Sequence, residues 1–366
     1  MEYYFQTKQM SVGYEGKPLI KNIEIALHRG EILTLIGPNG AGKSTILKSI
    51  AGQLSLIGGV VYLDKQEAAG MSGTELSKKM AVVFTERLKT ELMTCEDVVA
   101  TGRYPYTGYF GILSKEDYAV VKEAMELVHV EEIRQQDFTK ISDGQRQRVM
   151  LARAICQEPE IIILDEPTSY LDVKYKLEFL SVLQGLRRKK GLTVIMSLHE
   201  LELAERVSDR ILCVKGEYVE RFGETEKIFQ PGYIQSLFGI EIGKYDEENG
   251  SMELMAADGR PEVFVIAGGG VGKRVYRKLQ RRQIPFATGI LFENDLDYPV
   301  ARALTEEVIK AKGFEPIDEA LLSEAKGKID ACKRVICCKK EFGTFEKANE
   351  ELLRYAKDTG KSVEIV

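Results

Sequence analysis

Short apolar runs recur along this chain, each closing on a polar or glycine-rich segment. Ile32–Ile36, Met80–Phe84, Ile161–Leu164 and Thr193–Leu198 read as buried strands, with the aliphatic character expected of parallel strands covered on both faces. Residues 1–80 alternate β-runs with one helix, residues from about 86 to 158 are helix-rich, and residues 159–235 return to strands and helices. A polar turn at Asn249-Gly250 separates Phe238–Ile242 from Met252–Met255. Near Pro261 the alternation starts afresh, with a strand over Glu262–Ala267, a glycine loop at Gly268–Gly272, a helical run at Val275–Leu279 and a second strand at Phe286–Leu291. The pattern predicts an α/β chain with a larger domain over 1–240, a hairpin and linker over 241–260, and a smaller α/β domain over 261–366.

The chemistry begins where the first apolar run ends. Gly37-Pro38-Asn39-Gly40-Ala41-Gly42-Lys43-Ser44-Thr45 lies between the strand Ile32–Ile36 and a helix. It fills every fixed position of the phosphate-loop pattern, in the strand-to-helix context that pattern requires. Glycines let backbone N–H groups converge on phosphates, Lys43 adds a mobile positive charge, and the Ser44 hydroxyl is a Mg²⁺ ligand. A second strand, Ile161–Leu164, ends in Asp165-Glu166-Pro167. Carboxylates at that edge of a parallel sheet suit phosphoryl transfer, Asp165 for Mg²⁺ and Glu166 for the attacking water.

Between these two motifs, Ile141-Ser142-Asp143-Gly144-Gln145-Arg146-Gln147-Arg148 opens a helix that leads into the Asp165 strand. This resembles the signature of ABC-transporter ATPases. The resemblance implies a P-loop ABC cassette, with a RecA-like core and a helical subdomain, that binds ATP and Mg²⁺. It further implies that Ser142, Gly144, Gln145 and the helix N-terminus of one subunit reach the phosphates held by the other, in a head-to-tail homodimer. By the same resemblance Tyr14 stacks on adenine, Ser169–Asp172 crosses the dimer interface, and His199 senses the γ-phosphate. The stretch from Leu92 to Tyr106, with Gly102-Arg103-Tyr104-Pro105, and the hairpin after Phe238 resemble the importer ATPases for ferric siderophores, haem and cobalamin. For Arg103–Tyr106 an ordinary proline-broken loop is the competing reading. Integral membrane permease subunits, and indirectly a periplasmic or lipoprotein substrate-binding protein, are the partners so implied, with the chain cytoplasmic at the inner face of the membrane.

Two positions depart from the family pattern. Where a glutamine usually follows the strand Met80–Phe84, this chain reads Thr85-Glu86, and either oxygen-bearing side chain is a candidate Mg²⁺ ligand. Asp143 replaces a glycine of the signature, setting a carboxylate where triphosphate approaches; it should weaken closure unless an arginine neutralises it.

Composition narrows the class. With 366 residues, 44% of them hydrophobic, the chain can bury two cores. A net charge of −5, a pI near 5.6 and no basic surface run offer nothing to nucleic acid. The alternative is a soluble ABC ATPase acting on nucleic acid or ribosomes; one contiguous cassette in the chain, together with the lack of a basic surface run, weighs against it. Six scattered cysteines lack metal spacing and read as buried thiols. No apolar stretch approaches the ~18 residues of a membrane span. The C-terminal domain looks Rossmann-like, although Lys273 stands where the third glycine of G-x-G-x-x-G is expected. Its loop fits tight packing, a metabolite or cargo sensor, or dinucleotide binding, and its acidic residues at 293–297 fit ribose, metal or no ligand.

Overall fold

The structure, a computed structural model, describes residues 2–84, 92–108, 111–247 and 250–366. They form two compact units that divide between Gln230 and Pro231.

The first unit is built on a six-stranded sheet, in the order Tyr218–Glu224, Arg210–Lys215, Ile32–Ile36, Thr193–Ser197, Ile161–Leu164 and Met80–Val83. All pairings are parallel except that of the first two strands. Ile32–Ile36, Ile161–Leu164 and Thr193–Ser197 are buried at every residue, as central parallel strands must be. An antiparallel sheet of Lys17–Leu27, Phe5–Tyr14, Gly58–Leu63 and Gln66–Glu67 supplies the other side of the core. Phe5, Met10, Ile20, Ile25 and Leu63 meet Leu47, Ile163 and Leu212 there.

Three helices of the helix-rich block, Cys95–Ala100, Lys115–Leu127 and Asp143–Cys156, each start with a reciprocal capping box: Thr94/Asp97, Ser114/Asp117 and Ser142/Gln145. The Gly102–Tyr106 stretch ties this block together rather than forming a plain loop. A Cβ on Gly102 would lie 2.3 Å from the Arg153 carbonyl oxygen, so only glycine lets this turn approach the helix Asp143–Cys156. Arg103 is buried beside it, and its guanidinium donates to Asp117 Oδ1 at 2.8 Å and to the Cys156 carbonyl and Glu158 Oε2 at 2.9 Å each. The Tyr106 ring covers it at 4.1 Å.

The second unit carries five parallel strands in the order Val308–Ala311, Phe286–Phe292, Val263–Ile266, Arg334–Cys337 and Ser362–Ile365. Separate apolar clusters cover the two faces of the sheet, one around Phe264, Ile329 and Leu352, the other around Val265, Tyr276 and Phe286. This is the doubly wound, Rossmann-like order expected for 261–366. The unit starts earlier than the sequence pattern suggests. The helix Tyr233–Phe238 and the hairpin Lys244–Asp246/Ser251–Glu253 belong to it, whereas the pattern assigns 231–240 to the first domain and treats the hairpin as linker. The reason is a set of contacts remote in sequence. Glu253, nearly buried, is gripped by the Arg277 guanidinium, Gln280 Nε2 donates to the Met255 carbonyl at 3.2 Å, and Lys244 Nζ donates to the Arg302 carbonyl at 3.1 Å.

All six cysteines are free and buried. Among the described residues no helix is long and apolar enough to cross a membrane.

Candidate nucleotide site

The phosphate loop bends where only glycine can. Gly37 lies at φ 146, and a Cβ on it would sit 2.1 Å from the Val214 carbonyl oxygen of the neighbouring strand. Asn39 and Gly40 stand exposed at the tip of the loop, Pro38 partly so, while Ala41 turns inward. The helix Lys43–Ile50 follows, with no side-chain cap and no acidic residue in its first turn, so its positive end is not neutralised locally. Lys43 is only 6% exposed, and its ammonium donates to the carbonyls of Gly37 at 2.7 Å and Pro38 at 3.0 Å. Burial lowers its pKa from the ordinary lysine value, against the opposing pull of Glu166 and Asp165. Ser44 and Thr45 continue the helix, and the Thr45 hydroxyl shares a 3.1 Å hydrogen bond with the Tyr14 hydroxyl. Tyr14 is 52% exposed, which leaves its ring accessible for stacking.

The two carboxylates are organised by a residue that the motifs do not mark. Ser197, at the end of the adjacent strand, donates to Asp165 Oδ1 at 2.7 Å and accepts the Glu166 backbone N–H at 2.9 Å. Glu166 takes a left-handed backbone at φ 48, a strained conformation for a non-glycine residue of the kind that clusters at functional sites. Its Oε1 meets His199 Nε2 at 2.5 Å, and its Oε2 accepts from the Ser169 hydroxyl at 3.3 Å. The residue after His199 is pinned as well. Glu200 accepts from the Thr168 hydroxyl at 2.8 Å and from Lys176 at 2.5 Å. Burial raises the pKa of Glu200, but those two hydrogen bonds, the Lys176 charge and a backbone hydrogen bond together outweigh it and leave the group below the ordinary glutamate value. Sequence reasoning passed over both devices; the one trace of Ser197 is a polar residue closing the apolar run two places before His199.

Ser142 caps the helix Asp143–Cys156: its hydroxyl accepts from the Gln145 N–H at 3.2 Å, and Gln145 Oε1 accepts from the Ser142 N–H at 2.9 Å. A Cβ on Gly144 would approach the Tyr170 carbonyl oxygen to 3.2 Å, so the signature abuts the segment Ser169–Asp172. Lys43, Asp165, Glu166 and His199 therefore come together, as do Tyr14 and Thr45, while Ser142 and Gln145 bond to each other. Thr85 and Glu86 lie outside the described residues.

Comparison with known proteins adds a family. A sequence model of ABC transporters matches residues 20–169. The uncharacterized ABC transporter ATP-binding protein MJ0873 of Methanocaldococcus jannaschii is 40% identical over 287 residues, covering 78% of this chain and 99% of that protein. The chain belongs to the ABC-transporter ATP-binding proteins. It is thus an ATP hydrolase of the ABC type, and its first unit is the ABC cassette. Two import proteins are also similar. The iron(3+)-hydroxamate import ATP-binding protein FhuC of Bacillus subtilis is 35% identical, covering 64% of this chain and 87% of the relative. The cobalamin import ATP-binding protein BtuD of Halobacterium salinarum is 30% identical over 323 residues, covering 86% and 81%. Among solved structures, the dimeric cassette MJ0796 bound to ADP and Pi matches with a TM-score of 0.54 at 28% identity, over 60% of this chain and 98% of that one. The MJ0874 family matches residues 286–366, most of the second unit's sheet.

The second unit's glycine loop is built differently from the cassette's. Asp297, fully buried, accepts from the N–H groups of Gly268 at 3.0 Å and Gly272 at 2.9 Å on Oδ2, and from that of Lys273 at 3.1 Å on Oδ1. Both Asp295 oxygens take the Gly269 N–H, at 3.0 and 2.8 Å. Burial raises the pKa of Asp297, and Asp295 adds to the rise, against the lowering effect of the loop amides. Of the three uses the sequence leaves open, this geometry supports packing. The helix Lys273–Arg281 also corrects the expectation of no basic surface run: Arg274, Arg277, Lys278, Arg281 and the following Arg282 are all exposed, Arg277 being paired with Glu253.

Proposed function

We propose that this chain is the ATP-hydrolysing subunit of an importer for an iron chelate, haem or a corrinoid. In this reading two copies close head-to-tail around two ATP molecules and drive a membrane permease at the inner face of the membrane, served from outside by a substrate-binding protein. The second unit is a regulatory appendage. The observation that carries the reading is the joint placement of Glu166, His199 and Ser197 beside the buried Lys43. The names of the import proteins it resembles support the cargo class.

Each side chain then has a task. Lys43 and the amides of Gly40–Thr45 bind and orient the β- and γ-phosphates. Tyr14 stacks on adenine. Glu166, held by Ser197 and His199, aligns the water and takes its proton. The signature helix of the other copy, from Ser142 through Gly144 and Gln145, presents its N-terminus to the γ-phosphate. The oxygen donors fit Mg²⁺, because Ser44 and the buried carboxylate Asp165 are hard ligands and phosphates complete such a shell. They would hold the ion, with Thr85 or Glu86 as a further ligand, and it would supply charge neutralisation on the phosphates.

Glu166→Gln should reduce ATP turnover by about a thousandfold or more while leaving ATP bound. Gel filtration with ATP and Mg²⁺ should then show a stable dimer. Turnover near the wild-type rate in that variant would remove Glu166 from its role.

A further inference from the structure

The signature helix starts with a charge that works against its task. A helix N-terminus attracts phosphate with the equivalent of roughly half a positive charge, and a carboxylate in the first turn more than cancels it. Asp143 is the first residue of the helix Asp143–Cys156, about half-exposed, one place after the cap Ser142. The structure shows what offsets it. Arg146, one turn along, pairs its Nη1 with Asp143 Oδ1. The guanidinium is itself anchored: its Nη2 reaches the carbonyls of Ile141 at 3.3 Å and Thr139 at 3.4 Å, and the Phe138 ring lies 5.7 Å away. Its side chain is 19% exposed against 48% for Asp143. The arginine is thus the fixed partner, and the carboxylate is the one drawn to it.

We propose that Arg146 is a positioning residue of the ATPase reaction: it holds the Asp143 carboxylate against its own helix and cancels its charge, so that the signature N-terminus still receives the γ-phosphate across the dimer. This rests on the head-to-tail reading above. Without the arginine, the carboxylate would face an incoming triphosphate at close range, a like-charge contact that acts on closure rather than on folding.

The test is a double-mutant cycle read by steady-state ATPase in the full chain. Arg146→Ala should lower kcat by roughly tenfold, about 1.4 kcal/mol of barrier, with a smaller change in KM. Asp143→Gly should be as fast as wild type or faster. Asp143→Gly with Arg146→Ala should recover to within roughly twofold of Asp143→Gly alone, because the carboxylate that needed a partner has gone. Raising salt from low to about 0.5 M should narrow the deficit of Arg146→Ala, since a half-exposed charge is screened. A double variant as slow as Arg146→Ala assigns the arginine to loop anchoring through Thr139 and Ile141 and overturns the proposal. Wild-type rates in Arg146→Ala, or a slower Asp143→Gly, do the same. The Glu166→Gln chain separates the two levels: a wild-type chain no faster than that control sinks the functional reading and this proposal with it, whereas the other failures sink this proposal alone.

Discussion

Two glycine loops in this chain occupy the same place in their folds, and their backbone amides have different partners. Each follows a fully buried parallel strand, Ile32–Ile36 or Val263–Ile266, and each runs into a helix whose first residue is a lysine, Lys43 or Lys273. In the cassette the helix start has no capping side chain and no acid in its first turn, and the lysine is buried within the loop. In the second unit Asp297 and Asp295 take the N–H groups of Gly268, Gly269, Gly272 and Lys273. A carboxylate and a phosphate compete for the same donors. What separates an anion site from a packing joint is therefore whether another part of the fold brings in an anion of its own.

The largest test of that contrast is the pair of lysines. Lys43→Ala should lower ATP turnover by about a hundredfold or more, as expected for a lost charge on the transferring phosphates. Lys273→Ala should stay within roughly twofold of wild type. Equal losses in steady-state assays would show that the second loop takes part in nucleotide handling and would dissolve the comparison.

Removing the internal anion should be smaller in scale and more specific in place. Asp297→Ala leaves the three N–H groups it held without their acceptor, a loss of about 2–4 kcal/mol in the stability of the second unit. Hydrogen exchange should show faster exchange at Gly268, Gly272 and Lys273, with the amides of the cassette sheet unaffected. In a Lys43→Ala background, which weakens the anion site of the cassette loop, calorimetric titration with inorganic phosphate should give more heat when Asp297 is also replaced by alanine than when it is kept. Equal phosphate heats with and without Asp297 in that background would mean that Asp297 does not keep phosphate from the second loop, and would undo the contrast.

The smallest effect is a pH dependence with a definite sign. The pKa of Asp297 is raised in the folded chain from an unfolded value near 3.8, mainly by burial. The folded state therefore holds its proton more tightly, and this group's contribution is fully present below the unfolded pKa and lost as pH rises through the folded one. In the cassette Asp117 runs the other way: the Ser114 N–H and then Arg103 hold its pKa below 3.8, so its contribution is present above that value and lost as pH falls through the folded pKa. Urea unfolding from pH 3 to 7, compared with Asp297→Asn, should remove the first component from the second unit and leave the second in the cassette. An unchanged pH profile in Asp297→Asn would assign the titration to other groups.

Much of the cassette was legible in the linear sequence because its chemistry is carried by neighbours along the chain. Gly37–Thr45 form a loop whose turn, amides and lysine are contiguous, and Asp165-Glu166 and His199 each follow directly from a strand recognisable by its apolar run. The aliphatic runs also mark four strands of the cassette's six-stranded sheet and two of the five in the second unit. Three features escaped. Ser197 bridges to Asp165 across 32 residues, the hairpin joins the second unit through Glu253 and Arg277, and the basic residues after Gly272 form an exposed stripe. The Gly102-Arg103 turn is visible in the sequence, whereas the pairing of Arg103 with Asp117 and Glu158 is not.

By itself, then, the sequence determined where strands end, which loops are rich in glycine and which charges follow them, because backbone conformation and periodic burial are set by residues a few places apart. Only the tertiary structure decided which partner each polar group meets. Strand order sets Ser197 beside Asp165, and it brings Asp297 onto amides 24 to 29 residues away. Those pairings depend on which strands become neighbours and in what register, a cooperative choice of the whole core that no local pattern encodes.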